Sequence, residues 1–157
     1  SGCSLLISIT SAGGISTDLE PPCFVLIDKA LRDEGTSYHY LPPAEFAQLS
    51  SVHLSSLNGV FEASSLSVVQ GAAWTTDAPY RETAAAIIAA QARGVVAVEM
   101  EAAALYAFAE AHDKAVICFA HITNQMARDG DDFEKGEADG AVESLAVFNA
   151  AVAALKL

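Results

Sequence analysis

The stretch RETAAAIIAAQARGVVAVEMEAAALYAFAEAHDKAVICFAHI, from Arg81 to Ile122, decides the fold. Its first part, Arg81 to Arg93, is rich in Ala, carries Ile87 and Ile88, and stops at Gly94; strong helix formers closed by a glycine predict a helix. Val95 to Val98 is a short unbroken apolar run. Glu101 to His112 sets Leu105 and Phe108 at helical spacing, and Ala115 to Ile122 is a second unbroken run. Runs without polar alternation predict strands covered on both faces, and strands alternating with helices predict an α/β fold.

Leu5 to Ile9 is another strand-like run, ending in Thr10-Ser11-Ala12-Gly13-Gly14. Cys23 to Ile27 follows Pro21-Pro22, and Leu66 to Val69 opens a run that continues to Trp74. Gly140 to Leu155 carries Val142, Leu145, Phe148, Val152 and Leu155, an apolar stripe of the kind that faces a core. Between Pro43 and Leu66 the pattern is weaker. Glu45 to Leu49 reads as a short helix, while Ser50 to Ser65 leaves helix, loop and strand open.

The 157 residues suit one domain, 1–157. With 52% apolar and 18% charged residues the chain has the composition of a packed domain and not of a disordered one. Eight Lys and Arg against 20 Asp and Glu give a net charge of −12, which argues against nucleic acid and anionic membrane surfaces as partners. Uninterrupted apolar runs such as Ala84 to Ala90 fall far short of the ~18 residues of a spanning helix. The opening Ser1-Gly2-Cys3 shows no basic region followed by an apolar stretch, and Cys3, Cys23 and Cys118 have no CxxC spacing. A cytoplasmic location with reduced thiols is expected.

In α/β sheets ligands gather outside the carboxyl ends of strands, and four such ends carry chemistry here. They are Ser11-Ala12-Gly13-Gly14, then Trp74-Thr75-Thr76-Asp77 with Tyr80-Arg81, then Glu99-Met100-Glu101, then Thr123-Asn124-Gln125-Met126. Each also has a plain structural use. The glycines suit a tight turn, Trp74 a core, Arg81 a solvated helix, Asn124 a helix cap and Glu101 the positive end of a helix. Glu99 and Glu101 share a face if the chain is extended. His39, His53, His112 and His121 lack metal-ligand spacing, and Asp129-Gly130-Asp131-Asp132 lacks the glycine and terminal Glu of a calcium loop, so no metal site is expected.

Taken together these clusters resemble the nucleoside phosphorylase superfamily, the group of uridine phosphorylase, purine nucleoside phosphorylase and methylthioadenosine nucleosidase. Val98-Glu99-Met100-Glu101-Ala102-Ala103 is similar to its V-E-M-E-[AGS]-A stretch, and Ser11-Ala12-Gly13-Gly14 to its S/T-A-G-G turn. The segment from Arg32 through Asp33, Glu34, Gly35, Thr36, Ser37, Tyr38 and His39 to Tyr40 resembles uridine-phosphorylase-like members. Thr75 to Arg81 resembles the base-site loop, and Ile122-Thr123-Asn124 falls where the family has Ser-Asp or Val-Asn. The resemblance implies a central mixed sheet flanked by helices in three layers, and a pentosyltransferase with phosphate as co-substrate and no resident cofactor. It implies Glu101 on the ribose hydroxyls and Met100 against the sugar, and Asn124 and Arg81 at the base. Ser11, Ala12, Gly13, Trp74, Thr75 and Glu99 would line the substrate site. Asn in place of a general-acid Asp favours a 6-oxopurine or pyrimidine base. Partners would be a nucleoside, phosphate and copies of the same chain, as a dimer or trimer of dimers.

Two departures qualify that picture. Three positions before Ser11, where the family has a phosphate-binding Arg, stands Ser8; a neutral hydroxyl does not replace a bidentate guanidinium. The chain also begins at what is a mid-domain strand of the family, so the likeness covers its C-terminal two-thirds, and an unpaired sheet edge is expected. Hydrolysis in place of phosphorolysis, and a shortened non-catalytic member that binds a ligand or a partner subunit, are the alternatives these departures raise.

Overall fold

The computed structural model describes residues 2–62, 64–126 and 140–155; the acidic turn at 129–132 lies outside them. In chain order the elements are β1 (Leu5–Gly14), β2 (Cys23–Asp33), β3 (Phe46–Gln48), α1 (Ser51–Leu57), β4 (Val68–Thr76), α2 (Ala84–Gln91), β5 (Val95–Glu99), α3 (Ala102–His112), β6 (Ala115–Gln125) and α4 (Ala141–Leu155). Short 3-10 turns cover Ser37–His39 and Pro79–Arg81. The α/β class with a mixed sheet flanked by helices is what the sequence led us to expect.

The strands run in the order β3-β2-β4-β5-β1-β6, and β2 pairs again with β6. Five strands therefore close into a ring, with β3 attached outside it. On one edge β2 has β4 along its length. On the other it has β6 beside Cys23–Leu26 and then β3 beside Lys29–Leu31. β2, β4 and β5 are parallel, as are β1 and β6, and the two groups meet antiparallel at β1–β5 and β2–β6.

Glu45 to Leu49 is not a helix: Phe46–Gln48 is β3, antiparallel to β2. Three residues give no periodicity to read, and Phe46 joins the apolar layer beneath α2 while Lys29 lies over its ring, 4.6 Å from the centroid. In β1, the residues Leu5–Ala12 pair with β6 only. β5 joins β1 at Gly13 and Gly14 alone, so among the described residues most of one β1 edge has no ladder.

The main core joins β2, β6, α3 and α4, with Val25, Ile27, Ile117, Phe119 and Ile122 fully or almost fully enclosed. A second cluster of Ile15, Ala72, Trp74, Ala90, Val95 and Val98 lies beneath α2. In α4 only the C-terminal end of the large apolar stripe faces the core, where Leu155 packs against it. Val147 and Ala151 are buried, whereas Val142, Leu145 and Phe148 are 52%, 60% and 40% exposed. A helix rich in Ala can approach its neighbours closely on its small face, and hydropathy alone does not say which face is used.

Tyr106 of α3 ties two strands together. Its hydroxyl donates to the Ile27 carbonyl at 2.5 Å and accepts from the Cys118 amide at 3.1 Å, and burial holds the phenol protonated far above its usual range. Tyr106→Phe keeps the ring and orphans two buried backbone groups. We expect a loss of about 2 kcal/mol in urea unfolding, with the native far-ultraviolet spectrum retained.

Candidate active site

Strand register assembles the site. Trp74 of β4 lies beside Val98 of β5, Val98 beside Gly13 of β1, and Gly13 beside Asn124 of β6. One row thus crosses four strands and, at about 4.8 Å per strand, spans about 14 Å. One residue further along, Thr75 lies beside Glu99. All four strand-end clusters singled out in the sequence are therefore neighbours.

Gly13 lets the Met126 side chain pack directly on the β1 backbone. A Cβ on it would lie 2.5 Å from Met126 Sδ and 3.3 Å from Val98 Cγ1. Met126, whose amide donates to the Gly14 carbonyl at 2.8 Å, thus closes over the β1 backbone. Ser11 is exposed, and its hydroxyl meets that of Thr123 at 3.1 Å. Ala12 is buried in the core. Asn124 is half-buried and sits within β6, so it is not a helix cap.

The two glutamates do not share a face. Glu99 is 3% exposed, while Glu101 is exposed at the N-cap of α3 and Met100 beside it is 48% exposed. Glu99 turns inward: its Oε2 accepts from the amides of Glu101 and Ala102, both at 2.8 Å, and its Oε1 accepts from the Thr75 hydroxyl. Thr75, fully buried, in turn accepts from the Ala103 amide at 3.0 Å. Burial pushes the Glu99 carboxyl above the usual carboxylate range. The bonds from Thr75 and the two amides oppose that rise, and the charge of Glu101 adds to it.

Trp74 is also enclosed, in the cluster beneath α2, with Nε1 donating to Asp33 Oδ2 at 3.0 Å. Arg81 ends the Pro79–Arg81 turn and is exposed. Among the described residues it has no side-chain partner, and Tyr80 beside it is 84% exposed. The other described arginines are engaged. Arg93 pairs with Glu45, and buried Arg32 bonds Ser37 Oγ and the Leu41 and Pro42 carbonyls. Ser8 is half-buried in β1, opposite Cys118.

Exposed Ser11, Met100 and Glu101 and half-buried Gly13 and Asn124 thus lie at neighbouring strand ends, and exposed Arg81 stands on the loop after β4. Trp74, Thr75 and Glu99 stand behind it. Sequence reading named Thr123 and Met126 within their cluster and gave them no role, since the part of such ordinary residues depends on what they face. It likewise gave no role to Asp77, whose carboxylate accepts from the Gly35 amide at 3.0 Å and joins the Thr75–Arg81 loop to the segment after β2. Among the described residues no three His, Cys, Asp or Glu side chains gather to hold a metal, and no helix is long and apolar enough to cross a membrane.

Three comparisons bear on this arrangement. The sequence profile described as "Phosphorylase superfamily" matches residues 1–157. No curated protein matches the chain significantly. Among solved structures, the P. knowlesi homologue of P. falciparum PNP superposes with a TM-score of 0.78 at 18% identity, covering 99% of this chain. The chain spans 64% of the length of that structure.

The raised Glu99 carboxyl has a consequence for stability. The native state holds this proton more tightly than the unfolded chain, so its favourable contribution is complete below the ordinary value of 4.5 and is lost as pH rises through the elevated one. Glu99→Gln removes that loss. Urea midpoints between pH 4 and 7 should show the variant gaining on the wild type as pH rises, whatever the offset between them at pH 4.

Proposed function

The chain belongs to the phosphorylase superfamily, and we propose that it carries the site for cleaving the N-glycosidic bond of a nucleoside with phosphate, giving a free base and a pentose 1-phosphate. The observation that carries this reading is Glu101, an exposed carboxylate beside exposed Met100 and next to the Gly13–Asn124 row, whose own helix start is capped by other groups. Such a carboxylate suits the 2′ and 3′ hydroxyls of a pentose, with the Met100 thioether against the sugar.

In the reaction the bond from the anomeric carbon to the base nitrogen breaks and its electron pair leaves with the base. A phosphate oxygen bonds to the carbon, which becomes cationic in the transition state. Glu101 holds the sugar in its reactive geometry. Asn124 offers an N–H donor and a carbonyl acceptor to the base edge and no acidic proton, which favours an oxo base, 6-oxopurine or pyrimidine. Arg81, free of partners among the described residues, neutralises charge on a base carbonyl. Ser11 and the Gly13 backbone supply the anion side.

Ser8 favours a second reading. It brings no charge to phosphate, so water as the nucleophile, in a nucleosidase, accounts for its neutrality. A binding-only role is the third reading, distinguished by nucleoside binding without turnover. A cytoplasmic location and a homo-oligomer complete the proposal, the latter supported by the unladdered edge of β1.

The test is chromatographic detection of free base from uridine, thymidine, inosine, guanosine and methylthioadenosine, each with and without phosphate. Release only with phosphate is expected. Release in both conditions favours the nucleosidase, and binding without release the non-catalytic reading. In the active protein Glu101→Ala should lower kcat/KM about 30-fold, or about 2 kcal/mol of transition-state stabilisation. A near-native variant removes Glu101 from the sugar.

A further inference from the structure

A helix that begins with a ligand-binding residue has a conflict at its first turn. The leading amides of a helix need acceptors, and the N-cap side chain is their usual source. Here the N-cap of α3 is Glu101, which makes no capping bond of its own. The work falls to two buried side chains on neighbouring strands. Glu99 accepts from the amides of Glu101 and Ala102, and Thr75 from that of Ala103. Thr75 then donates its hydroxyl proton to the other oxygen of Glu99.

We propose that Thr75 is a positioning residue, which with Glu99 caps α3 in place of Glu101 and so fixes the Glu101 carboxylate where it meets the sugar. The inference rests on the assignment of Glu101 to the pentose. Thr75 is suited to this by having both functions in one atom: a hydroxyl donates once while accepting elsewhere. It is fully enclosed, so no water replaces it. A methyl in place of the hydroxyl would leave the Ala103 amide without its acceptor and Glu99 without its donor in the same buried spot. The first turn of α3 would then relax toward other acceptors and carry Glu101 with it. Displacement of a positioning group by about 1 Å can cost about a hundredfold in rate.

The test combines structure and kinetics on Thr75→Val and Thr75→Ser. Amide hydrogen exchange should show protection at residues 101–103 lost in the Val variant and kept in the Ser variant. In kcat/KM the Val variant should fall about 10- to 100-fold, and Ser should stay within about threefold of wild type. Thr75→Val combined with Glu101→Ala should be no slower than Glu101→Ala alone, because the two act through one contact. Unchanged exchange in the Val variant overturns the proposal. So do additive losses in the double variant, which would make Thr75 act elsewhere. A near-native Glu101→Ala overturns the assignment of Glu101 to the sugar, and the proposal with it; the exchange result then reports on the cap alone. Should Thr75→Val fail to fold, Thr75→Cys, with its weak donor and acceptor, takes its place in every comparison.

Discussion

The antiparallel ladder between Cys23–Leu26 of β2 and Phe119–Ile122 of β6 is the constraint on which the rest depends. It turns an open run of strands into a ring. Without it β6 would have β1 alone as a neighbour, and Phe119 and Ile117, now fully enclosed, would lose one wall of their surroundings. Closure also gives the site its shape. Because the ring brings β1 back against β5, a glycine near the end of one strand and an asparagine near the end of another come level with Trp74 and Val98. Residues more than a hundred positions apart thereby share one rim. The ladder on β2 leaves room further along the same edge for β3, whose Phe46 joins the layer under α2.

Much of this was legible from the order of apolar runs. β5 and β6 were readable because a strand buried on both faces shows as an unbroken apolar stretch, and α2 and α3 because Ala-rich segments between such stretches have few other uses. β3 was not readable, since three residues carry no period. The packing face of α4 was misleading. Its large side chains form the visible stripe, yet of these Val142, Leu145 and Phe148 stay exposed, and Val147, Ala151 and the end residue Leu155 meet the core. At the site, the four strand-end clusters were legible as chemistry. Their division into exposed and buried members was not. Alternation along an extended chain puts Glu99 and Glu101 on one side, but the strand ends at Glu99 and the chain bends from Met100. The two carboxylates therefore part.

That parting has a physical logic. A carboxylate that must receive hydroxyls of a substrate cannot also be consumed by the amides of the helix it begins. A carboxylate that satisfies those amides can be taken almost wholly out of water, because its bonds repay part of the cost of burial. The repayment is incomplete, and the upward displacement of the Glu99 carboxyl is its signature. One short motif thus contains two acids with opposite environments. Glu99 and Thr75 take the first amides of α3, and the exposed Glu101 carboxylate accepts only from the Met100 amide, at 3.3 Å, among the described groups.

The same reasoning bears on the anion side. Arg32 and Arg93 have their guanidinium groups committed to Ser37, to carbonyls and to Glu45. Arg81 alone among the described arginines is without a side-chain partner, and it stands on the loop that Asp77 ties to Gly35. A single uncommitted guanidinium serves one developing charge well, on the base or on the attacking anion, but not both at once when they lie on opposite faces of the sugar carbon. On the proposed reading, with Arg81 at the base, the described residues leave the Ser11 hydroxyl and the β1 backbone, both neutral, on the anion side. A neutral site binds phosphate more weakly than a charged one and accommodates water equally well. Under the proposed function, the direction of Arg81, the one described arginine without a side-chain partner, links the charge of the base carbonyl to the choice of nucleophile.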